Sequence, residues 1–72
     1  METLKNRVKE LRGKMGFTQG ELAELAGVTR QTIISLEKGS YVPSLLLAMR
    51  LSEELNTPIE YIFFKEKMEL KE

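Results

Sequence analysis

Arg30, Gln31 and Thr32 are three consecutive polar residues, and Ser35 follows one helical turn later. A guanidinium offers a fork of donors that matches the paired acceptors on a guanine edge. A carboxamide matches the donor and acceptor of adenine, and a threonine brings a methyl group that can touch thymine. This is the chemistry of recognition. Bond-making chemistry is poorly provided for, because the sequence contains no cysteine and no histidine. The usual zinc, haem and iron–sulfur ligand sets are therefore missing, as are Ser-His-Asp and Cys-His nucleophiles. What remains is glutamate and lysine, spread over helix faces without a visible carboxylate pair, so no enzyme, metal site or cofactor is expected. On an arbitrary exposed helix, arginine and glutamine are simply solvated. Their role depends on the elements that present them.

The apolar residues Leu4, Val8, Leu11 and Met15 step by four, three and four, which predicts a first helix over about Leu4 to Lys14. Thr18-Gln19-Gly20-Glu21 has the form of a capping box and opens a second helix that buries Leu22, Ala23, Leu25 and Ala26 and stops at Gly27. Gly20 costs about 1 kcal/mol in the first turn of that helix, without a reason visible in the sequence. Val28 and Thr29 alone separate Gly27 from the next helical pattern, which leaves room only for a tight helix–turn–helix connection. Thr29 caps the third helix, Arg30 to Lys38, whose Ile33 and Leu36 face inward. Ser44 caps a fourth helix, Leu45 to Leu55, with Leu45, Ala48, Leu51 and Leu55 on one stripe. Pro58 suits the start of a short fifth helix carrying Ile59, Ile62 and Phe63. The expected class is all-α, a compact five-helix domain over residues 1–64, followed by a charged tail over 65–72.

Seventy-two residues make one domain with a marginal core, and 42% hydrophobic with 31% charged residues is an ordinary globular mixture. The longest apolar run is Leu45 to Met49 and no signal-peptide core is present, so a cytoplasmic chain with no membrane association is expected. Eleven basic and eleven acidic residues cancel overall. They are unevenly placed: residues 1–50 carry a net +3 and residues 51–72 a net −3. A basic body with an acidic end is compatible with a polyanion facing the body alone.

Gln19, Leu22, Ala23, Gly27, Val28, Ile33 and Leu36 fall on the spacing of the lambda-repressor-like, or Cro/XRE-type, helix-turn-helix regulators, and this chain resembles the short stand-alone members over residues 4–64. Thr29-Arg30-Gln31-Thr32-Ile33, Leu36-Glu37-Lys38-Gly39 and Tyr41-Val42-Pro43-Ser44 strengthen the likeness. The resemblance implies a DNA-binding helix–turn–helix over 19–38, with the third helix in the major groove and the second crossing the backbone. It implies base contacts from Arg30, Gln31, Thr32 and Ser35, and backbone contacts from Thr18, Gln19, Thr29, Lys38, Ser40 and Tyr41. Thr18 serves first as a cap, and Lys38 has an equal alternative in pairing with its own helix dipole. Arg12 and Glu37 match a structural ion pair joining the first and third helices, and Arg12 can also face a phosphate. Arg7 and Lys9 read as ordinary surface charge, with weak steering of DNA as the alternative.

One recognition helix reads only a few base pairs, so a homodimer on a palindromic operator is expected. Ile59, Tyr61, Ile62, Phe63 and Phe64, with surplus leucines of the fourth helix, exceed what a small core hides and are assigned to the dimer interface. Completion of the monomer core is the competing reading of these aromatics. Some relatives end in a strand, which makes Ile62 to Phe64 extended against Glu2 to Leu4 the alternative for this segment. The expected function is a transcriptional repressor with duplex DNA as its partner and no small-molecule ligand. An antitoxin-type protein and a DNA-independent interaction module are the alternatives.

Overall fold

The structure is a computed structural model, and it describes residues 2–67. The element order is β1 (Glu2–Asn6), α1 (Val8–Met15), α2 (Gln19–Ala26), α3 (Arg30–Glu37), α4 (Leu45–Glu54), α5 (Ile59–Ile62) and β2 (Phe63–Lys67). The five expected helices are present among the described residues, but the class is not all-α. β1 and β2 pair antiparallel, with Glu2 opposite Lys67, Leu4 opposite Lys65 and Asn6 opposite Phe63. The extended pairing considered for Ile62–Phe64 therefore exists three residues further along, and Ile62 is the last residue of α5. β2 crosses the boundary drawn after residue 64; of the tail expected over 65–72, residues 68–72 lie outside the described residues.

Leu4 belongs to the ribbon and not to the first helix. A four-residue step to Val8 suits a helix, but the chain before Val8 has a competing set of partners. The Arg7 amide donates to the Ile62 carbonyl at 2.8 Å, and the Asn6 side-chain oxygen accepts from the Val8 amide at 3.1 Å. A side-chain acceptor two residues before a helical amide ends the extended segment and starts the helix there.

The core is built from Val8 and Leu11 of α1, Leu22, Ala23 and Ala26 of α2, Ile33 and Leu36 of α3, Leu47, Leu51 and Leu55 around α4, and Ile62. Burial of each large aliphatic side chain contributes about 1.5–3 kcal/mol. Met15, the last residue of the stripe read on α1, is exposed, and α2 and α4 also differ from the pattern read in the sequence. Leu25 lies exposed on the outer side of α2, and on α4 the inward position is taken by Leu47 while Leu45 stays 72% exposed. On α2 and α4 the apolar residues spread too far around the helix to fix the angle of the buried face.

α2 begins with the expected reciprocal cap. Thr18 Oγ1 accepts from the Glu21 amide at 3.0 Å, and Glu21 Oε1 accepts from the Thr18 amide at 2.8 Å. It ends at Gly27, whose φ of 74° is left-handed. A Cβ at Gly27 would stand 2.8 Å from Nη1 of Arg50, whose guanidinium also donates to the Ala26 carbonyl at 3.3 Å. The left-handed turn is what requires glycine; the Arg50 guanidinium is the far end of a flexible side chain and can move aside. Among the described residues, no helix is long and apolar enough to cross a membrane.

Candidate nucleic-acid interface

The presentation of α3 follows from its two ends. At the start, Thr29 Oγ1 accepts from the Thr32 amide at 3.2 Å, which satisfies an otherwise orphaned donor. Ile33 and Leu36 are fully buried one turn apart and fasten the inner face. The outer face of the first turn carries Thr29, Arg30 and Gln31, all exposed, with Thr32 and Ser35 half-buried beside them. Four polar side chains whose chemistry suits base edges therefore lie on one short helix, three in its first turn and Ser35 in its second. Gln31 Nε2 leans to Ser35 Oγ at 3.4 Å, and the Thr32 and Thr29 hydroxyls lie 3.0 Å apart. The Thr32 hydroxyl has an internal partner, and its methyl remains for an apolar contact.

The residues expected at the sugar–phosphate backbone lie at both ends of α3. Thr18 is exposed at the start of α2, although its hydroxyl is occupied by the cap. Gln19 follows it, half-buried, and spans two neighbours: Nε2 donates to Glu37 Oε1 at 3.0 Å, and Oε1 accepts from Arg30 Nη2 at 3.4 Å. Lys38, Ser40 and Tyr41 are exposed beyond the other end of α3. Ser40 is held there by its amide and hydroxyl, which donate to the Ser35 carbonyl at 3.1 and 3.2 Å.

Arg12 and Glu37 meet as expected. Arg12 Nε donates to Glu37 Oε2 at 2.7 Å and Nη2 to Oε1 at 3.2 Å, while Nη1 donates to the Phe17 carbonyl at 2.9 Å. The side chains are 15% and 5% exposed. The Glu37 carboxylate pushes the Arg12 pKa above its ordinary value, first through the hydrogen bond and then through its charge, against the opposing effect of burial. The pair is a fork-to-fork contact with Gln19 as its third member. Three of its five donors are taken by the fold, which makes Arg12 a brace between α1 and α3.

The residues assigned to a dimer interface separate into two groups. Ile62 has no exposed surface and belongs to the core, so it is not available to a partner in this fold, and Phe63 packs half-buried against that core. Phe64 is half-buried under Arg7. Ile59 is half-buried, and Tyr61 is 51% exposed. The larger apolar surface lies on α4, where Leu45, Leu46 and Met49 are exposed, and Leu46, Met49 and Ile59 line an open groove edged by Arg50 and Glu53.

Three residues that tie the elements around this interface together were not visible in the sequence pattern: Asn6, Arg7 and Arg50. Arg7 is not free surface charge. Its guanidinium lies between the Tyr61 and Phe64 rings, 4.6 and 4.3 Å from their centroids, and donates to the Tyr61 carbonyl at 2.7 Å. All three act on partners more than twenty residues away, which local spacing does not report. Among the described residues, no group of three metal-ligating side chains is placed to hold an ion.

A helix-turn-helix family model matches residues 8–62. The chain is 48% identical over 64 residues to YgzD of Bacillus subtilis, an uncharacterized HTH-type transcriptional regulator, covering 89% of this chain and 97% of that one. An uncharacterized HTH-type transcriptional regulator of Archaeoglobus fulgidus is also 48% identical, over 69 residues, with 96% and 97% covered. Among solved structures, the restriction-modification controller protein C.AhdI from Aeromonas hydrophila superposes with a TM-score of 0.72 at 31% identity, covering 76% of this chain and 83% of that one.

Proposed function

Because this chain belongs to the Cro/XRE-type helix-turn-helix family of DNA-binding transcriptional regulators, we propose that it is a sequence-specific repressor that binds a palindromic operator as a homodimer. The observation that carries the reading is the tip of α3, where Arg30 and Gln31 are exposed while Ile33 and Leu36 are fully buried beneath them. A helix anchored from below and polar at its leading end is shaped to enter a major groove. In this reading Arg30, Gln31, Thr32 and Ser35 face base edges. Thr18, Gln19, Thr29, Lys38, Ser40 and Tyr41 face the phosphates on either side, and phosphate contacts fix the register that base contacts exploit.

Dimerisation supplies the second half-site. The exposed apolar face of α4, continued by Ile59 and Tyr61, supports an interface between two copies, and Arg50 and Glu53 edge its groove with opposite charges. A two-fold contact brings each residue against its counterpart surface, so opposite charges three residues apart are complementary to themselves. Two recognition helices about 34 Å apart then read successive major grooves on one face of the duplex. A dimer so placed represses by occupying promoter DNA, and the likeness to a controller protein is in keeping with a regulatory role.

The test is selection of duplexes from a randomised pool, followed by titration of the enriched sequence at several salt concentrations. The expected result is an enriched inverted repeat whose log affinity falls linearly with log salt. A pool that stays random, with binding insensitive to salt, favours a protein-interaction module instead.

A further inference from the structure

The terminal ribbon and α3 meet at one side chain. Asn6 is the last residue of β1, paired with Phe63 across the ribbon. Its carboxamide serves two elements at once. Oδ1 accepts from the Val8 amide at 3.1 Å at the start of α1, and Nδ2 donates to the Leu36 carbonyl at 2.9 Å in the last turn of α3. That carbonyl also accepts from the Gly39 amide at 3.0 Å, so the end of α3 is held by its own chain and by a residue thirty positions away. Asn6 is itself well fixed. The neighbouring Arg7 amide donates to the Ile62 carbonyl at 2.8 Å, and the Arg7 guanidinium is clamped between Tyr61 and Phe64.

We infer that Asn6 is a positioning residue for the DNA-reading helix: its carboxamide bolts the terminal ribbon to the base of α3 and so sets the angle at which the Arg30–Gln31 tip leaves the body. The lever is short and stiff. Eight helical residues span about 12 Å, so a tilt of about 5° at the Leu36 end moves the tip by roughly 1 Å. Hydrogen bonds to base edges tolerate only a few tenths of an ångström in distance, whereas attraction to phosphates changes little over such a shift. Loss of the bolt therefore weakens discrimination between sequences more than it weakens attachment to DNA. Asparagine is suited to the position because it carries a donor and an acceptor on one planar group. The inference rests on the DNA-reading function proposed above.

The two roles of Asn6 separate by substitution. Asn6→Asp keeps the acceptor for Val8 and lacks the donor for Leu36, while Asn6→Ala loses both. The probes are the duplex that the wild-type protein enriches from a randomised pool and a scrambled duplex of equal length, titrated at a temperature where circular dichroism shows every variant folded. The ratio of the two affinities cancels the uniform effect of the charge added by aspartate. Both variants are expected to lower this ratio about tenfold, roughly the discrimination of one base pair. An unchanged ratio in Asn6→Asp, with only Asn6→Ala losing thermal stability, overturns the inference and leaves Asn6 a helix cap. A second measurement needs no variant. In the wild-type protein the Asn6 side-chain amide protons should exchange with solvent much more slowly than those of exposed Asn56, and equal exchange rates overturn the bolt directly. A wild-type protein that enriches no sequence defeats the DNA-reading function itself, and the inference with it, before any variant is made.

Discussion

Glu37 accepts three hydrogen bonds, two from Arg12 and one from Gln19, and is only 5% exposed. Removal of such a carboxylate strands a guanidinium in a nearly dry site, so Glu37→Ala should cost about 3 kcal/mol of unfolding free energy, measured by urea titration. The pH dependence follows from Arg12. Its folded-state pKa is raised, so the pair's contribution is fully present below the ordinary arginine value and is lost only as pH rises through the higher folded one. That window lies far into the alkaline range. Wild type and Glu37→Gln should accordingly change stability in parallel between neutral and mildly alkaline pH, and a divergence would place the titration elsewhere. Gln31 is the contrasting case, exposed, with its side chain hydrogen-bonded to Ser35 alone among the described residues. Gln31→Ala should leave the unfolding curve in place and cost about 1–3 kcal/mol at one base pair of each half-site, seen by titrating a panel of single-base operator variants. At this scale the sequence was most informative where meaning is local: Thr18, Glu21 and Thr29 were readable as caps from spacing alone, and the Arg12–Glu37 pair from the family resemblance. Asn6 and Arg7 were not, because their partners Leu36, Tyr61 and Phe64 are brought to them only by the closing of the chain.

At the scale of elements, α2 contains a glycine that its packing does not demand. A Cβ at Gly20 would lie 3.9 Å from Thr18 Oγ1 and 4.0 Å from Arg30 Cδ, ordinary contact distances. Gly20→Ala is therefore expected to stabilise the fold by about 0.5–1 kcal/mol, raising the thermal midpoint, since alanine restricts the unfolded chain and favours the helix. The terminal ribbon behaves oppositely. A two-stranded ribbon is marginal in isolation, and its surface ion pairs, Lys5–Glu66 at 3.8 Å and Lys65–Glu2 at 3.6 Å, are exposed and contribute little. The helices were legible because capping residues and glycines punctuate them. The ribbon was legible only as an alternative drawn from relatives, because Leu4 fits a helical step and a strand equally well and pairing between opposite ends of a chain leaves no local periodicity.

For the whole molecule, the apolar face of α4 is the feature that a monomer leaves unexplained. Leu45 is largely exposed and makes no contribution to the core. Leu45→Glu should thus keep the monomer fold while shifting sedimentation from dimer to monomer, with the inverted repeat bound far more weakly than by wild type. The excess of apolar residues toward the end of the chain was visible in the sequence, but its division between core and surface was not. That division depends on the rotation of α4 and α5 against the core, which placed Ile62 inside and Leu45 outside. If the Arg30–Gln31 end of α3 enters the major groove in each of two half-sites, methylation protection on the selected duplex shows it. Protection of guanine N7 is expected in two patches about ten base pairs apart on one face of the helix. Protection confined to the minor-groove N3 of adenine, or a single patch, would contradict it.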